Sequence, residues 1–450
     1  MDFKSLVFWF KNKFFRPEAQ KAYVNALLYE TEKRENRVIE DFMKRRQLLE
    51  YAYNHCSFYR KLYDDVGFTP SMFQTDKDWK KVPIVEKYMI RNYAEDFLSD
   101  EYKLSELGSI TTGGSTGKPL KLYKSRHVHY EVLAWRALKW WGISPSDNEG
   151  IMHRKVPQTK LQRIKNRILW WPTKRAYLSA TAISNDDILR FLNDVKKYKV
   201  KWIVGYCASI EFVADYILEH KIEINCVKMV WSTSSPLTGI VRKKIEKAFS
   251  CKVMDQYGCC EMGNIAIQKP GEDFLTINAD YVHVDIVNDR NEILNEEKAY
   301  GDILITDLNT KEFPLIKYRL GDRSRYVKTI KESEDGFPKL EFVQGRISDA
   351  VWLPDGTYVD GAFLTTICDN YSDYIACYQV YQAMDYSICI KFVLKGHKND
   401  SVFVLEKIVS DFQTLTKNVV KITYSIVTEI PDFAGKRKFI ISDISLSKLA

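Results

Sequence analysis

Between residues 186 and 256 the apolar pattern changes period repeatedly. Residues 186–200 space their apolar side chains as an amphipathic helix, and Trp202-Ile203-Val204-Gly205 then reads as a strand. A helix over 210–220, a strand over 227–233, a helix over 238–249 and a strand over 252–256 follow. Strands alternating with helices predict parallel βα units, so the fold class is α/β. Ligands of such folds bind at the loops after the strands' carboxyl ends. Upstream, residues 17–66 read as helical, and 127–141 as another helix ending at Trp140-Trp141-Gly142.

From 281 the pattern shortens. Val282-His283-Val284-Asp285-Ile286-Val287 and Asp302-Ile303-Leu304-Ile305-Thr306 read as short strands of a β-rich subdomain, with a hairpin turn at Asn288-Asp289-Arg290-Asn291. The last hundred residues combine strands at 375–382, 387–394 and 420–427 with one helix at 401–415, enough for a small α+β domain. A chain of 450 residues, 45% of them hydrophobic, supports a sizeable core and more than one domain. It contains no run of eighteen apolar residues and no signal-peptide order. Its nine cysteines are scattered without a CxxC pair, which argues against a zinc site or a disulfide framework and for a reduced, cytoplasmic protein.

The stretch Ser109 to Pro119 is mostly Ser, Thr and Gly, followed by strand-like Leu120-Lys121-Leu122-Tyr123. Glycines allow close backbone approach, and freed N–H groups with hydroxyls donate to an anion. Thr111, Thr112, Gly113, Gly114, Ser115, Thr116, Gly117 and Lys118 thus have the composition of a phosphate cradle, or of a flexible turn. They are not a Walker A loop: three residues separate Gly113 from Gly117, and Pro119 follows the lysine.

Charge is uneven. The chain carries a net +8, and no Asp or Glu lies between Glu149 and Asp186. Arg154, Lys155, Lys160, Arg163, Lys165, Arg167, Lys174 and Arg175 fall in that window, beside Trp170-Trp171. A phosphate-bearing acceptor or an anionic membrane surface fits such a window, as does a solvated basic loop. Residues 1–16 set Phe3, Leu6, Val7, Phe10 and Phe14 at helical spacing among Lys4, Lys11, Lys13 and Arg16. That helix suits a membrane surface or packing on its own domain, the commoner use. Nucleic acid is not expected, because no stacking or groove-reading motif accompanies the charge.

Four further stretches carry chemistry: Asp255-Gln256-Tyr257-Gly258-Cys259-Cys260-Glu261, Tyr318-Arg319-Leu320-Gly321-Asp322, Gly345-Arg346-Ile347-Ser348-Asp349 and Ala434-Gly435-Lys436-Arg437-Lys438. With the glycine-rich loop, their order resembles the adenylate-forming superfamily of acyl-CoA synthetases and adenylation domains. Within it the likeness is to phenylacetate–CoA ligases and similar capsular-polysaccharide proteins. TTGGSTGKP is similar to the family's ATP loop, QYGCCE to its Tyr-Gly-x-x-Glu motif, and YRLGD to Tyr-Arg-Thr-Gly-Asp. GRISD is similar to its hinge, and AGKRKF to its catalytic-lysine motif.

The resemblance implies a large core domain over 1–344 and a small mobile α+β lid over 345–450. It implies that a carboxylic acid reacts with ATP to give an acyl adenylate and pyrophosphate. Residues 111–118 would hold the β- and γ-phosphates, and Glu261 would hold Mg²⁺. Tyr257, beside Gly258, would stack on adenine, and Asp322 would take the ribose hydroxyls with Arg346 close by. Lys436 would bridge the carboxylate and the α-phosphate. CoA is the implied acceptor, or else an amino-sugar or carrier; the setting is surface-polysaccharide modification. A degenerate nucleotide- or acyl-binding member is the non-catalytic alternative. The acid pocket would draw on 135–141, 203–209 and 231–236. Three positions depart from the pattern: Ser348 stands where the hinge has Asp or Lys, Cys260 where Thr or Ser precedes the glutamate, and Ser234-Ser235-Pro236 where a Gly-Glu-Pro turn precedes the adenine site.

Overall fold

The alternating helices and strands close into a parallel sheet. A computed structural model describes residues 2–112, 120–124, 128–153, 156–157, 159–180, 184–234, 236–346, 351–355, 358–359, 364, 367–368, 371, 374–395, 402–430 and 439–444. The chain divides into two compact units, Met1–Pro145 with Gln256–Val343 and Ser146–Asp255 with Gln344–Ala450.

In the second unit the sheet runs Arg175–Ser179, Glu149–His153, Trp202–Tyr206, Met229–Thr233, Lys252–Met254, with every pair parallel. Counted along the chain this is the order 2-1-3-4-5 of a doubly wound sheet. Met229, Val230 and Trp231 are buried in succession, as expected of a strand covered on both faces. The helix Asn185–Tyr198 starts at Ser184, whose hydroxyl accepts from the Asp187 backbone while Asp187 reaches back, and it buries Ile188, Phe191, Leu192 and Val195. A Cβ on Gly205 would sit 2.6 Å from that of Met152, so the first and third strands approach too closely for a side chain there.

The C-terminal part of this unit forms a mixed sheet in the order Ile422–Ile426, Ile388–Leu394, Ile375–Gln382, Ile440–Ser442. The helix Val402–Leu415 contributes Val404, Leu405, Ile408 and Phe412 to its core, which also takes Ile240 from the helix Gly239–Phe249. The expected strands and helix of the last hundred residues are all present.

In the first unit the helical stretch 17–66 is three helices, Pro17–Thr31, Arg34–His55 and Ser57–Asp65. Pro17 opens the first of them, and the extended Cys56 separates the other two. Two antiparallel sheets follow. One contains Gln256–Cys259, Gly263–Ile267, Leu275–Ile277, Lys339–Leu340 and Tyr326–Lys328. In the other, Val282–Val287, Gly301–Asp307 and Tyr318–Ser324 pair in turn. The Asn288–Asn291 turn exists, but it folds Ile293 back onto Val287, and the true partner strand begins at Gly301. Tyr59, fully buried, donates to the Pro314 carbonyl at 3.0 Å and ties the helices to the sheets.

Two buried ionic clusters hold this unit. Arg136 donates both guanidinium ends to Asp280, at 2.7 and 2.8 Å, and one of them to Asn278. His283 bridges Asp41 at 2.8 Å and Asp285 at 3.3 Å, and Asp285 also accepts from the Trp79 indole at 2.7 Å. Burial pushes the His283 imidazole down, but the Asp41 and Asp285 carboxylates outweigh it and set the group at about 9.

The N-terminal helix Phe3–Phe15 packs through Phe8 and Trp9, which meet Trp135 and Tyr23. The residues expected on its apolar face do not make that contact: Phe3, Leu6, Phe10 and Phe14 are exposed. None of the nine cysteines is in a disulfide. Among the described residues no helix is long and apolar enough to cross a membrane.

Candidate active site

The residues flanking the glycine-rich stretch pair with each other. Gly108–Thr112 pairs antiparallel with Leu120–Lys124, from Gly108 opposite Lys124 to Thr112 opposite Leu120. Thr111 and Thr112 therefore lie on the ascending strand, next to its tip. Gly113, Gly114, Ser115, Thr116, Gly117 and Lys118 lie outside the described residues.

The stretch around Glu261 is a hairpin in the same unit. Tyr257 lies opposite Ala266 and Cys259 opposite Gly263, with a bulge between Tyr257 and Gly258. A Cβ on Gly258 would stand 2.4 Å from the Gly263 carbonyl oxygen, so only glycine lets the two strands cross there. Gly263 itself takes a φ of +75° and turns the chain after Cys260, Glu261 and Met262. Cys260 is exposed at the tip, and Cys259 lies behind it. Burial and the Glu261 carboxylate push the Cys259 thiol well up, which keeps it protonated.

The structure joins this hairpin to the Tyr318–Asp322 stretch twice. The Tyr257 hydroxyl donates to Asp322 Oδ2 at 2.9 Å. The Tyr318 hydroxyl points to Glu261 Oε1 at 3.4 Å. Each motif's tyrosine thus addresses the other motif's carboxylate. Tyr257 is 7% exposed and Tyr318 fully buried, so both phenols are held in place by packing. Burial, then Asp322, keeps the Tyr257 phenol protonated as a donor.

Neighbouring contacts brace the corner. Arg319 donates to Glu86 at 2.9 Å and to Asp302 at 2.6 Å, and Val85 pairs with Tyr318. Gly321 has a φ of +79°, and Lys87 donates to the Leu320 carbonyl beside it. Tyr318 and Lys87 were not singled out from sequence. The signal for Tyr318 was its place inside the YRLGD stretch; Lys87 had none, being a half-buried lysine at a helix start.

The second unit holds other candidates. At the carboxyl ends of the first and third strands, where the strand order reverses, His153 and Tyr206 stack with ring centroids 5.2 Å apart. His153 Nε2 is buried without a hydrogen-bond partner, and burial lowers the imidazole's pKa, so it is neutral near pH 7. Sequence reasoning missed His153 and included Tyr206 only within 203–209. Ser234 follows the strand Met229–Thr233 with a φ of +83°, the left-handed region glycine favours. The position thus keeps a glycine-like backbone without the glycine. Arg346 ends the strand Gln344–Arg346, but its side chain, Ser348 and Lys436 lie outside the described residues. Of 135–141, Trp135 and Arg136 are committed to packing in the first unit, and Trp141 donates to the Gln268 carbonyl at 2.9 Å.

Among the described residues no three His, Cys, Asp or Glu side chains cluster as a metal cage. Mg²⁺ with a nucleotide needs no such cage, since one or two carboxylates plus phosphate oxygens suffice. Glu261 alone fits that donor set.

No family model matches the chain. It is 21% identical over 454 residues to Protein CapK of Staphylococcus aureus, covering 98% of this chain and 97% of that protein. It is 23% identical over 313 residues to phenylacetate–coenzyme A ligase of Escherichia coli K12, covering 67% and 69%. Among solved structures, 2-hydroxyisobutyryl-CoA ligase in the postadenylation state, bound to R3-HIB-AMP, matches with a TM-score of 0.71. That match is at 17% identity and covers 91% of this chain and 90% of the ligase.

Proposed function

We propose, from the premise that this chain belongs to the adenylate-forming superfamily, that it is an ATP-dependent, AMP-forming carboxylate ligase. The observation that carries the reading is the doubled tyrosine–carboxylate link between Tyr257, Glu261, Tyr318 and Asp322. It brings the Asp322 and Glu261 carboxylates to one braced corner, which supports a role for the first at the ribose and for the second at a metal.

In this reading a carboxylate oxygen of the acid attacks the α-phosphorus of ATP. The bond to the bridging oxygen of the β-phosphate breaks, pyrophosphate leaves, and an acyl adenylate remains. Two anions must meet, so charge neutralisation dominates. The donors of 111–118 would hold the departing phosphates, and Lys436 would neutralise the carboxylate and the α-phosphate. Glu261 would hold Mg²⁺, which would supply further charge neutralisation. Asp322 accepts from the ribose hydroxyls, with Arg346 beside it. Tyr257, nearly closed off from solvent, serves to aim Asp322 through its hydroxyl.

The second step passes the acyl group to a thiol or amine, which attacks the carbonyl carbon and releases AMP. CoA is the acceptor, as in the solved ligase complexes that hold 2-HIB-AMP with CoA. Ser348 in the hinge motif favours a second reading, direct transfer to an amino-sugar or carrier without an ordinary lid rotation. The motif likeness to capsular-polysaccharide proteins supports a role in surface-polysaccharide modification. Nine cysteines, none of them in a disulfide, support a reducing, cytoplasmic setting. Residues 1–16 and 154–175 supply a peripheral contact with the membrane.

The test is acid-dependent pyrophosphate release and hydroxamate trapping across a panel of carboxylic acids, followed by CoA or amino-sugars as acceptors. Lys436→Ala is expected to abolish pyrophosphate release and leave ATP affinity nearly unchanged, because its interaction exists chiefly in the transition state. Near-normal adenylation by that variant removes Lys436 from the mechanism. ATP binding with no adenylation of any acid by the parent would identify a degenerate binding member instead.

A further inference from the structure

An amphipathic helix on a globular protein normally turns its apolar face inward. The helix Lys160–Leu169 does the reverse. Leu161, Ile164 and Ile168 lie on one face, and they are 80%, 56% and 70% exposed. Not one residue of the helix is buried. Arg163, Arg167 and Ile164 also border a cavity of about 300 Å³, together with Arg175, Arg190 and the carboxylate Asp187. The helix thus stands over a charged gap in its own unit and leaves most of Leu161, Ile164 and Ile168 uncovered. It is well formed: Thr159 caps it, and Gln162 reaches back to close the capping box.

The composition identifies what covers this face. Lys160, Arg163, Lys165 and Arg167 fall within ten residues, and no carboxylate occurs between Glu149 and Asp186. A second copy laid face to face would bring Lys160 and Lys165, which do not line that cavity, against their own kind, which opposes pairing. A nucleic acid would satisfy the cations and leave three aliphatic side chains in water. An anionic lipid surface satisfies both, with the apolar face in the acyl boundary and the cations at the headgroups. The helix Phe3–Phe15, in the other unit, has the same make-up. Phe10 and Phe14 are 62% and 61% exposed, in ring contact at 4.5 Å, and Lys11 and Lys13 lie between them.

We infer that Lys160–Leu169 is an in-plane anchor to an anionic bilayer, and that Phe3–Phe15 carries a like signal in its own unit. One such signal gives marginal, reversible binding, whereas two give a stable attachment. The inference does not rest on the ligase reading, because lipid binding needs neither nucleotide nor acid.

The experiment sediments the full chain with vesicles of phosphatidylglycerol and phosphatidylethanolamine, and with phosphatidylcholine alone, at low and moderate salt. The parent is expected to bind the anionic vesicles and to be released by salt. A Leu161→Ser, Ile164→Ser, Ile168→Ser triple variant should lose about tenfold or more in affinity. Phe10→Ser with Phe14→Ser should weaken binding by itself, and all five changes together should abolish it. These side chains are exposed, so the melting temperature and pyrophosphate release should stay at parental values. Failure of the parent to bind anionic vesicles at low salt overturns the inference. So does equal binding to phosphatidylcholine, or light scattering that shows a dimer dispersed by the triple change.

Discussion

Asp322 and Tyr257 come from stretches 65 residues apart and share one 2.9 Å hydrogen bond. That bond restrains the carboxylate before any nucleotide arrives. Removing the carboxylate by Asp322→Ala should weaken ATP binding roughly ten- to hundredfold, the cost of losing a charged hydrogen-bond partner. Tyr257→Phe leaves the carboxylate in place and removes one of its donors, and should cost only about two- to tenfold. The two losses should not add in the double variant, because the tyrosine acts through the carboxylate. Glu261→Ala should instead raise the Mg²⁺ concentration needed for pyrophosphate release, with a smaller change in ATP affinity. ATP titrations at several Mg²⁺ concentrations separate these cases. Identical profiles for Asp322→Ala and Glu261→Ala would contradict the division of roles.

At the scale of elements, His283 fastens the strand Val282–Val287 to the helix Arg34–His55 through Asp41. Its imidazole, at about 9 in the folded protein, stands above the ordinary histidine value of roughly 6.5. A raised pKa stabilises the fold fully below the unfolded value and is lost as pH climbs through the folded one. The parent should therefore melt progressively lower as pH rises from about 6.5 to about 9 and beyond. His283→Gln cannot gain the proton. Its deficit in melting temperature should be largest near pH 6 and shrink by pH 9.5, and a deficit independent of pH would sink the idea. Asp41 and Asp285 are held low by burial-opposing charge from His283, so their contribution fades in acid, below the usual carboxylate range. Local pattern made many of these elements legible. The strand read at 227–233 is Met229–Thr233, and the helix read at 401–415 is Val402–Leu415, because apolar period alone specifies such segments. Period does not say which face meets the core. Phe8 and Trp9 dock the N-terminal helix where Phe10 and Phe14 were expected, since a distant Trp135 decides the matter. The pairing across the glycine-rich stretch was half legible. Residues 120–123 read as a strand, whereas alternation did not mark their partner, Gly108–Thr112. The reciprocal tyrosines were invisible because only the folded sheets bring the two motifs together.

For the whole molecule, the chain passes between its two units at Pro145, Asp255 and Val343. The parallel sheet keeps its own core, from Met152 to Val253, with Phe439 as the sole contributor described from beyond residue 344. A fragment of residues 1–344 is therefore expected to remain folded, with Ile240 newly exposed and stability reduced. Lacking Lys436, it should bind ATP and release no pyrophosphate. Circular dichroism and nucleotide titration check both points, and an unfolded fragment would show that 345–450 is an integral part of its unit. The same threading sets a timetable on the ribosome. Tyr59 must wait for Pro314, 255 residues downstream. At roughly 5–20 residues per second that is about 13–50 s of synthesis. The strands of the parallel sheet, Glu149 to Met254, emerge complete within that interval. The inserted sheet thus matures while the helices made before it still lack their partner, and newborn chains spend that time with their N-terminal aromatic residues in the open, where a chaperone or a bilayer is the first surface they meet.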